Sequence, residues 1–152
     1  MICPDLDLLV CRILFSATLA LSGAGCKSSH EGQGWLPPSG RPEVSLGVQN
    51  TAKQVQVIAQ DFFRGRGYAE VESRHGYEFV FDKPMKSGRS GKALRVRLRL
   101  NKQLDGTWQF NGTPFRVEGW RSDLETEVLL PQASSQIQAF LVEIKCRLES
   151  AR

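Results

Sequence analysis

The stretch from residue 83 to residue 102 is rich in side chains that bind anions. It contains eight lysine or arginine residues and no aspartate or glutamate. Clustered cations of this kind attract phosphates, lipid headgroups or an acidic partner. The sequence therefore predicts an anion-binding or partner-binding surface, and the candidate residues are Lys86, Arg89, Lys92, Arg95, Arg97 and Arg99.

The three arginines at the end of this stretch also have a simpler interpretation. Arg95, Arg97 and Arg99 alternate with apolar residues, so they share one face of a predicted strand. Opposite charges on neighbouring strands stabilise a sheet by ~0.2–1 kcal/mol per pair. The acids that alternate on the other predicted strands are Glu70, Glu72, Glu78, Asp82, Glu125 and Glu127. This supply of acids favours a salt-bridged sheet face over a binding site.

Other patterns that would support catalysis or cofactor binding are weak. The loop at 83–92 has glycines and lysines, but it lacks the Gly-Lys-Ser/Thr ending of a phosphate-binding loop and leads into a strand. His30 and His75 have no cysteine or carboxylate at the spacing of metal ligands. No Gly-x-Ser-x-Gly motif activates a serine. The sequence therefore predicts no catalytic residue, no metal site and no small-molecule cofactor.

Four aromatic residues lie close together in the second half of the chain. They are Trp108, Phe110, Phe115 and Trp120. A solvent-facing aromatic cluster would suit a peptide or a sugar, whereas aromatic residues at alternating strand positions are more often buried. We expect these residues to belong mainly to the core.

The N-terminal segment has the features of a signal peptide. Thirteen uncharged, largely apolar residues follow Arg12, at 13–25. A membrane-spanning helix needs ~20 such residues, so this segment is too short to cross a bilayer. Its length, the preceding charge and the small residues at its end are typical of a signal peptide at 1–25. Asp5 and Asp7 are unusual in such a leader, which predicts that translation begins at Val10.

The six residues from Leu21 to Cys26, LSGAGC, resemble the lipobox of bacterial lipoproteins. The resemblance covers residues 10–26 and implies cleavage before Cys26 and lipidation of its sulfur, with palmitate among the acyl groups. The family usually has leucine three residues before the cysteine, where this chain has Gly23. Lys27 resembles the pattern sorted to the outer membrane of diderm bacteria. The resemblance therefore implies a cell-envelope protein facing the periplasm, with a plain secreted protein as the alternative.

Composition and cysteine positions add two exclusions. A net charge of +4 is mildly basic and favours anionic surfaces, but nucleic acid is a poor partner for a protein outside the cytoplasm. Three of the four cysteines, Cys3, Cys11 and Cys26, lie near the N-terminus, and Cys146 lies in the body. They form neither a disulfide framework nor a zinc-binding spacing.

The body of the chain divides into a tether and one domain. Residues 26–47 are rich in serine, glycine and proline, which predicts a flexible tether. Residues 48–152 have the length of a single domain. Residues 48–64 have the periodicity of a helix, with an apolar face that includes Val48 and Val55. A second helix follows Pro131, with capping-box spacing between Ser135 and Gln138. Its apolar stripe comprises Ile137, Leu141, Ile144 and Leu148.

Between the helices the apolar residues alternate with polar ones, as in half-buried strands. The predicted strands are 68–73, 77–82, 93–100, 107–111, 114–120 and 122–130, with a hairpin at Asp105-Gly106. We expect these stretches to form four or five strands of one antiparallel sheet. The predicted fold is a two-layer α+β domain, with the N-terminal and C-terminal helices packed on one face of the sheet.

These observations predict a non-enzymatic binding or scaffold module of the cell envelope. The module would be attached to the membrane through lipid on Cys26 and would bind an envelope protein. The alternative is a small envelope enzyme or accessory subunit that acts on an anionic substrate. A cleft lined by Arg97, His75 and a carboxylate would favour the alternative, because catalysis needs polar groups that converge.

Overall fold

The computed structural model describes residues 35–71, 77–85 and 91–151. In chain order the elements are β1 (Glu43–Leu46), α1 (Ala52–Arg64), β2 (Ala69–Val71), β3 (Glu78–Pro84), β4 (Lys92–Lys102), β5 (Trp108–Glu118), β6 (Thr126–Leu129), a 3-10 turn (Pro131–Ala133) and α2 (Ser134–Ser150). The α+β prediction is confirmed: one antiparallel sheet is combined with an N-terminal and a C-terminal helix. The sheet has six strands, rather than the four or five predicted.

The sheet is built around a long central strand, β5. The strands follow the order β1-β5-β4-β3-β2, and β6 also pairs with β5. The first half of β5 pairs with β1 and its second half pairs with β6. The prediction of two separate strands at 107–111 and 114–120 is therefore wrong. Along β5, Pro114 lies between the residues that pair with β1 and those that pair with β6, and its carbonyl accepts a hydrogen bond from the N–H of Leu130 at 3.0 Å.

Strand β1 lies inside the segment that the sequence predicted to be a tether. Glu43–Leu46 pair with the first residues of β5, and Leu46 is buried. The tether prediction is wrong for these four residues, because a short strand needs little periodicity when a partner strand supplies its hydrogen bonds. Residues 1–34 lie outside the described residues, and with them the predictions of a signal peptide, of a start at Val10 and of lipid on Cys26.

Helix α1 begins four residues later than predicted because a capping box fixes its start. Thr51 Oγ1 accepts from the N–H of Gln54 at 3.2 Å, and Gln54 Oε1 accepts from the N–H of Thr51 at 3.0 Å. Val48 precedes the helix and is 61% exposed, so its predicted core position is wrong. The buried residues of the helix are Val55, Ala59, Phe62 and Phe63.

Helix α2 buries the apolar stripe that the sequence predicted, which comprises Ile137, Leu141, Ile144 and Leu148. The predicted capping box does not form, since the helix starts after the 3-10 turn without a side-chain cap. Instead, Gln138 bonds to both backbone groups of Glu43 on β1. Its Oε1 accepts from the N–H at 2.8 Å, and its Nε2 donates to the carbonyl at 3.0 Å.

Both helices pack on one face of the sheet and form the core there. Phe63 of α1 stacks on Phe81 of β3 with ring centroids 4.6 Å apart, and it meets Phe140 of α2 edge-on. Helix α2 lies so close to β5 that a Cβ at Gly112 would be 2.5 Å from Cγ2 of Ile137. Glycine at this position therefore permits the contact between helix and sheet. No helix of the described residues is both long and apolar enough to span a membrane.

Candidate functional site

The face of the sheet that carries no helix, here called the helix-free face, holds all three arginines of β4. The β3–β4 register puts Glu78 opposite Arg99 and Asp82 opposite Arg95. Residues of one parity share a face in antiparallel strands, so Arg97 lies there as well. Acids from β6 and the preceding turn complete the group. We call it the arginine–carboxylate cluster, and it comprises Glu78, Asp82, Arg95, Arg97, Arg99, Glu125 and Glu127.

The centre of the cluster is a buried pair of Arg95 and Asp82. Arg95 Nε donates to Asp82 Oδ1 and Arg95 Nη2 donates to Asp82 Oδ2, both at 2.7 Å. The side chain of Arg95 is 10% exposed and that of Asp82 is 2% exposed. The hydrogen bond with Asp82 is the largest cause of a raised pKa at Arg95 and acts against the effect of burial. This two-pronged bond keeps both charges paired away from water.

The remaining acids share the arginines between them. Arg95 Nη1 contacts Glu125 at 2.6 Å and Glu127 at 2.8 Å. Arg97 Nη2 donates to both carboxylate oxygens of Glu127, at 2.9 and 3.0 Å. Four carboxylates thus surround three guanidinium groups, so the cluster has no excess of positive charge.

Glu78 lies between Arg97 and Arg99 and contacts both. Arg99 Nε donates to Glu78 Oε2 at 3.0 Å. Arg97 Nε also lies 3.0 Å from Glu78 Oε1, although that nitrogen has no partner that meets the angular requirements of a hydrogen bond. The contact between Arg97 and Glu78 is therefore mainly electrostatic. Arg99 has the most exposed arginine side chain of the cluster, at 60%.

The loop between β5 and β6, residues 119–125, reaches the Arg95–Asp82 end of the cluster. Trp120 Nε1 donates to Asp82 Oδ2 at 2.9 Å, which gives that oxygen a second donor. The turn is held by a bond from the Trp120 N–H to the carbonyl of Gly91 at 2.6 Å. Arg121, whose φ is 63°, places its guanidinium 4.3 Å from the centroid of the Trp120 ring. The role of Trp120 as a donor to Asp82 was missed in the sequence, because its partner lies 38 residues away.

The predicted candidate residues are only partly brought together. Arg95, Arg97 and Arg99 form ion pairs with four of the six acids that the salt-bridge interpretation named. Of the other two acids, Glu70 accepts from Gln60 of α1 at 2.8 Å, and Glu72 lies outside the described residues.

The remaining candidate cations lie away from the cluster or cannot be placed. Lys92 Nζ is 4.0 Å from Glu118 Oε1, and both side chains are about 40% exposed. Lys86 and Arg89 lie outside the described residues, as do His30 and His75. Anion binding by the six candidate cations, which are Lys86, Arg89, Lys92, Arg95, Arg97 and Arg99, stays a prediction.

The four clustered aromatic residues divide between the two faces. Trp108 and Phe110 lie in the core, as expected, and Trp108 Nε1 donates to the carbonyl of Asn50 at 2.9 Å. Phe115 lies on the helix-free face, with the guanidinium of Arg97 5.2 Å from its ring centroid. The described residues therefore form no single aromatic surface for a peptide or a sugar.

The charges of the cluster are paired with one another. Each arginine is bonded to a carboxylate, and among the described residues no group of histidine, cysteine, aspartate and glutamate is arranged to hold a metal ion. A cleft of about 540 Å³ lies elsewhere, between the start of α1 and the end of α2. Its apolar lining consists of Val57, Ile58, Leu148 and Ala151.

No protein-family model, no curated protein and no solved structure matches this chain. Its function is therefore inferred from the arrangement of its side chains.

Proposed function

We propose that this protein is a non-enzymatic binding or scaffold module, held at a membrane surface of the cell envelope by lipid on Cys26. It binds an envelope protein through the helix-free face. The observation that supports this function is that the arginine row of β4 is already neutralised by carboxylates of the same chain. A free anion would have to displace those carboxylates, whereas a protein surface can be complementary to the whole pattern of charges.

The side chains of the helix-free face are held in place before any partner binds. Arg97 is fixed by two carboxylates, and at the other end of the face Gln109 Nε2 donates to Glu43 Oε2 at 2.7 Å. Ordering free side chains on binding costs ~0.5–1.5 kcal/mol each. A face whose side chains are already ordered loses little of this entropy, which favours specific recognition of a protein.

The second candidate function is an enzyme or accessory subunit that acts on an anionic substrate. The exposure of Arg99 and Lys92, whose side chains are 60% and 41% exposed, favours it. The ion pairs of Arg95 and Arg97 with carboxylates favour the binding module instead. Both arginine side chains are less than 30% exposed, so a free anion has little access to them. We therefore place binding of a protein first.

A photo-crosslinking amino acid tests the proposed face. Asn101 is exposed and lies at the end of β4 on the helix-free face, and Val142 is 45% exposed on α2. We expect the probe at position 101, in cells that express the full chain, to form an adduct with an envelope protein. The matched probe at position 142 should form none. Equal adducts from both positions, or none from position 101, would contradict binding through the helix-free face.

The membrane anchor has a separate test. We expect Cys26→Ser to abolish incorporation of radiolabelled palmitate and to move the protein from the detergent phase to the aqueous phase. The control, Cys146→Ser, should keep both properties. A Cys26→Ser protein that still incorporates the label would show that the lipid is attached elsewhere.

A further inference from the structure

The three outer strands of the sheet are protected to different degrees. The outward backbone groups of Glu43 on β1 are occupied by the side chain of Gln138. Strand β2 has three residues, and its Glu70 is bonded to α1. Strand β6 pairs with β5 and with no other described strand. Native proteins cover, shorten or charge such edges, because an open edge is a template for another strand.

The hydrogen-bond alternation shows which groups of β6 point outward. Leu130 donates to Pro114, so residues of that parity face β5. The N–H and C=O groups of Glu127 and Leu129 therefore point away from the sheet. No hydrogen bond from another described element reaches this edge.

The side chains near this edge are unusually apolar for a surface. Val128 is 43% exposed, Leu129 is 54% exposed, and Leu124 in the preceding turn is 85% exposed. Strand β6 thus combines outward backbone groups with exposed apolar side chains on both faces of the sheet. This combination is the one that strand addition uses.

We propose that two copies of this chain pair through β6, antiparallel, with the two-fold axis at Val128. The pairing goes beyond the proposed function and does not depend on the membrane anchor. It joins the two sheets at their edges, so the helix-free faces of both copies remain available to a partner.

The sequence of β6 is self-complementary in this register. Glu127 lies opposite Leu129 of the second copy, and Leu129 lies opposite its Glu127, so the outward N–H and C=O groups of all four residues are bonded. The two Val128 side chains meet at the axis. The carboxylates of Glu127 do not face each other, and each stays with Arg95 and Arg97 of its own copy.

The limits of β6 also set the limits of the pairing. Pro131 follows the strand and has no N–H to donate, and beyond it Gln138 already occupies the edge of β1. The contact is therefore short, and the same patch is used by both copies, so that the assembly closes at two chains. A short contact of this kind gives a weak dimer that depends on concentration.

Cysteine cross-linking at the axis is the direct test. In the full chain with Cys3, Cys11, Cys26 and Cys146 replaced by alanine, Val128→Cys places two thiols at a non-hydrogen-bonded pair with Cα atoms ~4.5 Å apart, within disulfide range. We expect a disulfide-linked dimer on mild oxidation. The matched control is Thr126→Cys, whose two copies lie ~13 Å apart in this register. It should remain a monomer.

Sedimentation of the full chain without added cysteines gives an independent measure. We expect a shift from monomer toward dimer as concentration rises, and loss of that shift in Leu129→Glu, which puts a carboxylate directly opposite Glu127 of the second copy. Equal cross-linking of both cysteine variants, cross-linking of Val128→Cys to a different polypeptide, or a monomer at all concentrations would each overturn the proposal.

Discussion

The two faces of this sheet receive alternate residues of the same strands but are stabilised by different interactions. On the helix side, rings such as Phe63 and Phe81 stack at 4.6 Å and exclude water. On the helix-free face, Arg95 and Asp82 are nearly as well buried, although both are charged. Burial on this second face is achieved by ion pairs and by the turn that carries Trp120.

The two faces should differ in the kind of substitution that they tolerate. Apolar packing has no preferred direction, so the helix side is sensitive mainly to volume. The stability of the arginine–carboxylate cluster depends on the direction of its hydrogen bonds and on the number of its charged groups, because each carboxylate needs a donor. Removing one member of a buried ion pair leaves an uncompensated charge. The helix-free face should therefore be more sensitive to charge than the core is to size.

The largest expected effect separates the inner and outer arginines of the cluster. Arg95→Ala should lower the free energy of unfolding by ~3–5 kcal/mol, because it leaves Asp82 buried without its cation. The control is Arg99→Ala, whose side chain is 60% exposed, and which should cost less than ~1 kcal/mol. Urea denaturation of both variants measures the difference. Similar losses of stability in the two variants would mean that burial does not determine how much an arginine of the cluster contributes to stability.

A volume change tests the helix side. Gly112→Ala should lower the free energy of unfolding by ~1–3 kcal/mol, since the added Cβ would lie 2.5 Å from Ile137. Gly65→Ala is the matched control, because Gly65 has helical angles and its added Cβ would lie 3.4 Å from the nearest atom. It should change stability by less than ~1 kcal/mol. Thermal or urea unfolding gives both values, and an unaffected Gly112→Ala would refute the close approach of α2.

Trp120 should contribute less to the free energy of unfolding than the Arg95–Asp82 pair does. Trp120→Phe removes one donor to Asp82 and should cost ~1 kcal/mol, because Arg95 still donates to both carboxylate oxygens. Trp35→Phe changes a residue that is 92% exposed and should have no measurable effect. Chemical denaturation distinguishes them. A loss as large as that of Arg95→Ala would place the centre of the cluster at Trp120.

The smallest effect concerns an ion pair outside the cluster and depends on pH. Burial, the largest single influence, raises the pKa of Glu143, but the hydrogen bond from Arg147 and the nearby Arg66 outweigh it and leave the pKa lowered. A lowered folded pKa means that ionised Glu143 stabilises the fold above the unfolded pKa. This stabilisation is lost as pH falls through the folded pKa.

The variant Glu143→Gln tests this sign. It should be less stable than the original protein near neutral pH by under ~1 kcal/mol, since Glu143 is 41% exposed. The difference should vanish in acid, as measured by urea denaturation across pH. A difference that grows as pH falls would contradict the lowered pKa.

The local elements were largely predictable from the sequence. The alternation of β4 and the apolar stripe of α2 follow from the periods of strand and helix, 2.0 and 3.6 residues. The β3–β4 hairpin also contained a usable signal, because one register pairs both Glu78 with Arg99 and Asp82 with Arg95. Pairing across that hairpin would have identified the centre of the cluster.

The sequence by itself thus determined the α+β class, the main helices and strands and the presence of an arginine row on one face. The tertiary structure alone decided how the parts meet: that β1 joins the sheet from within the predicted tether, and that Gln138 binds Glu43 across 95 residues. It also brought Glu127 to Arg95 across 32 residues. The physical reason is the separation along the chain of the residues that interact. Periodicity depends on neighbouring residues, whereas these contacts depend on which distant segments the closing of the sheet brings together.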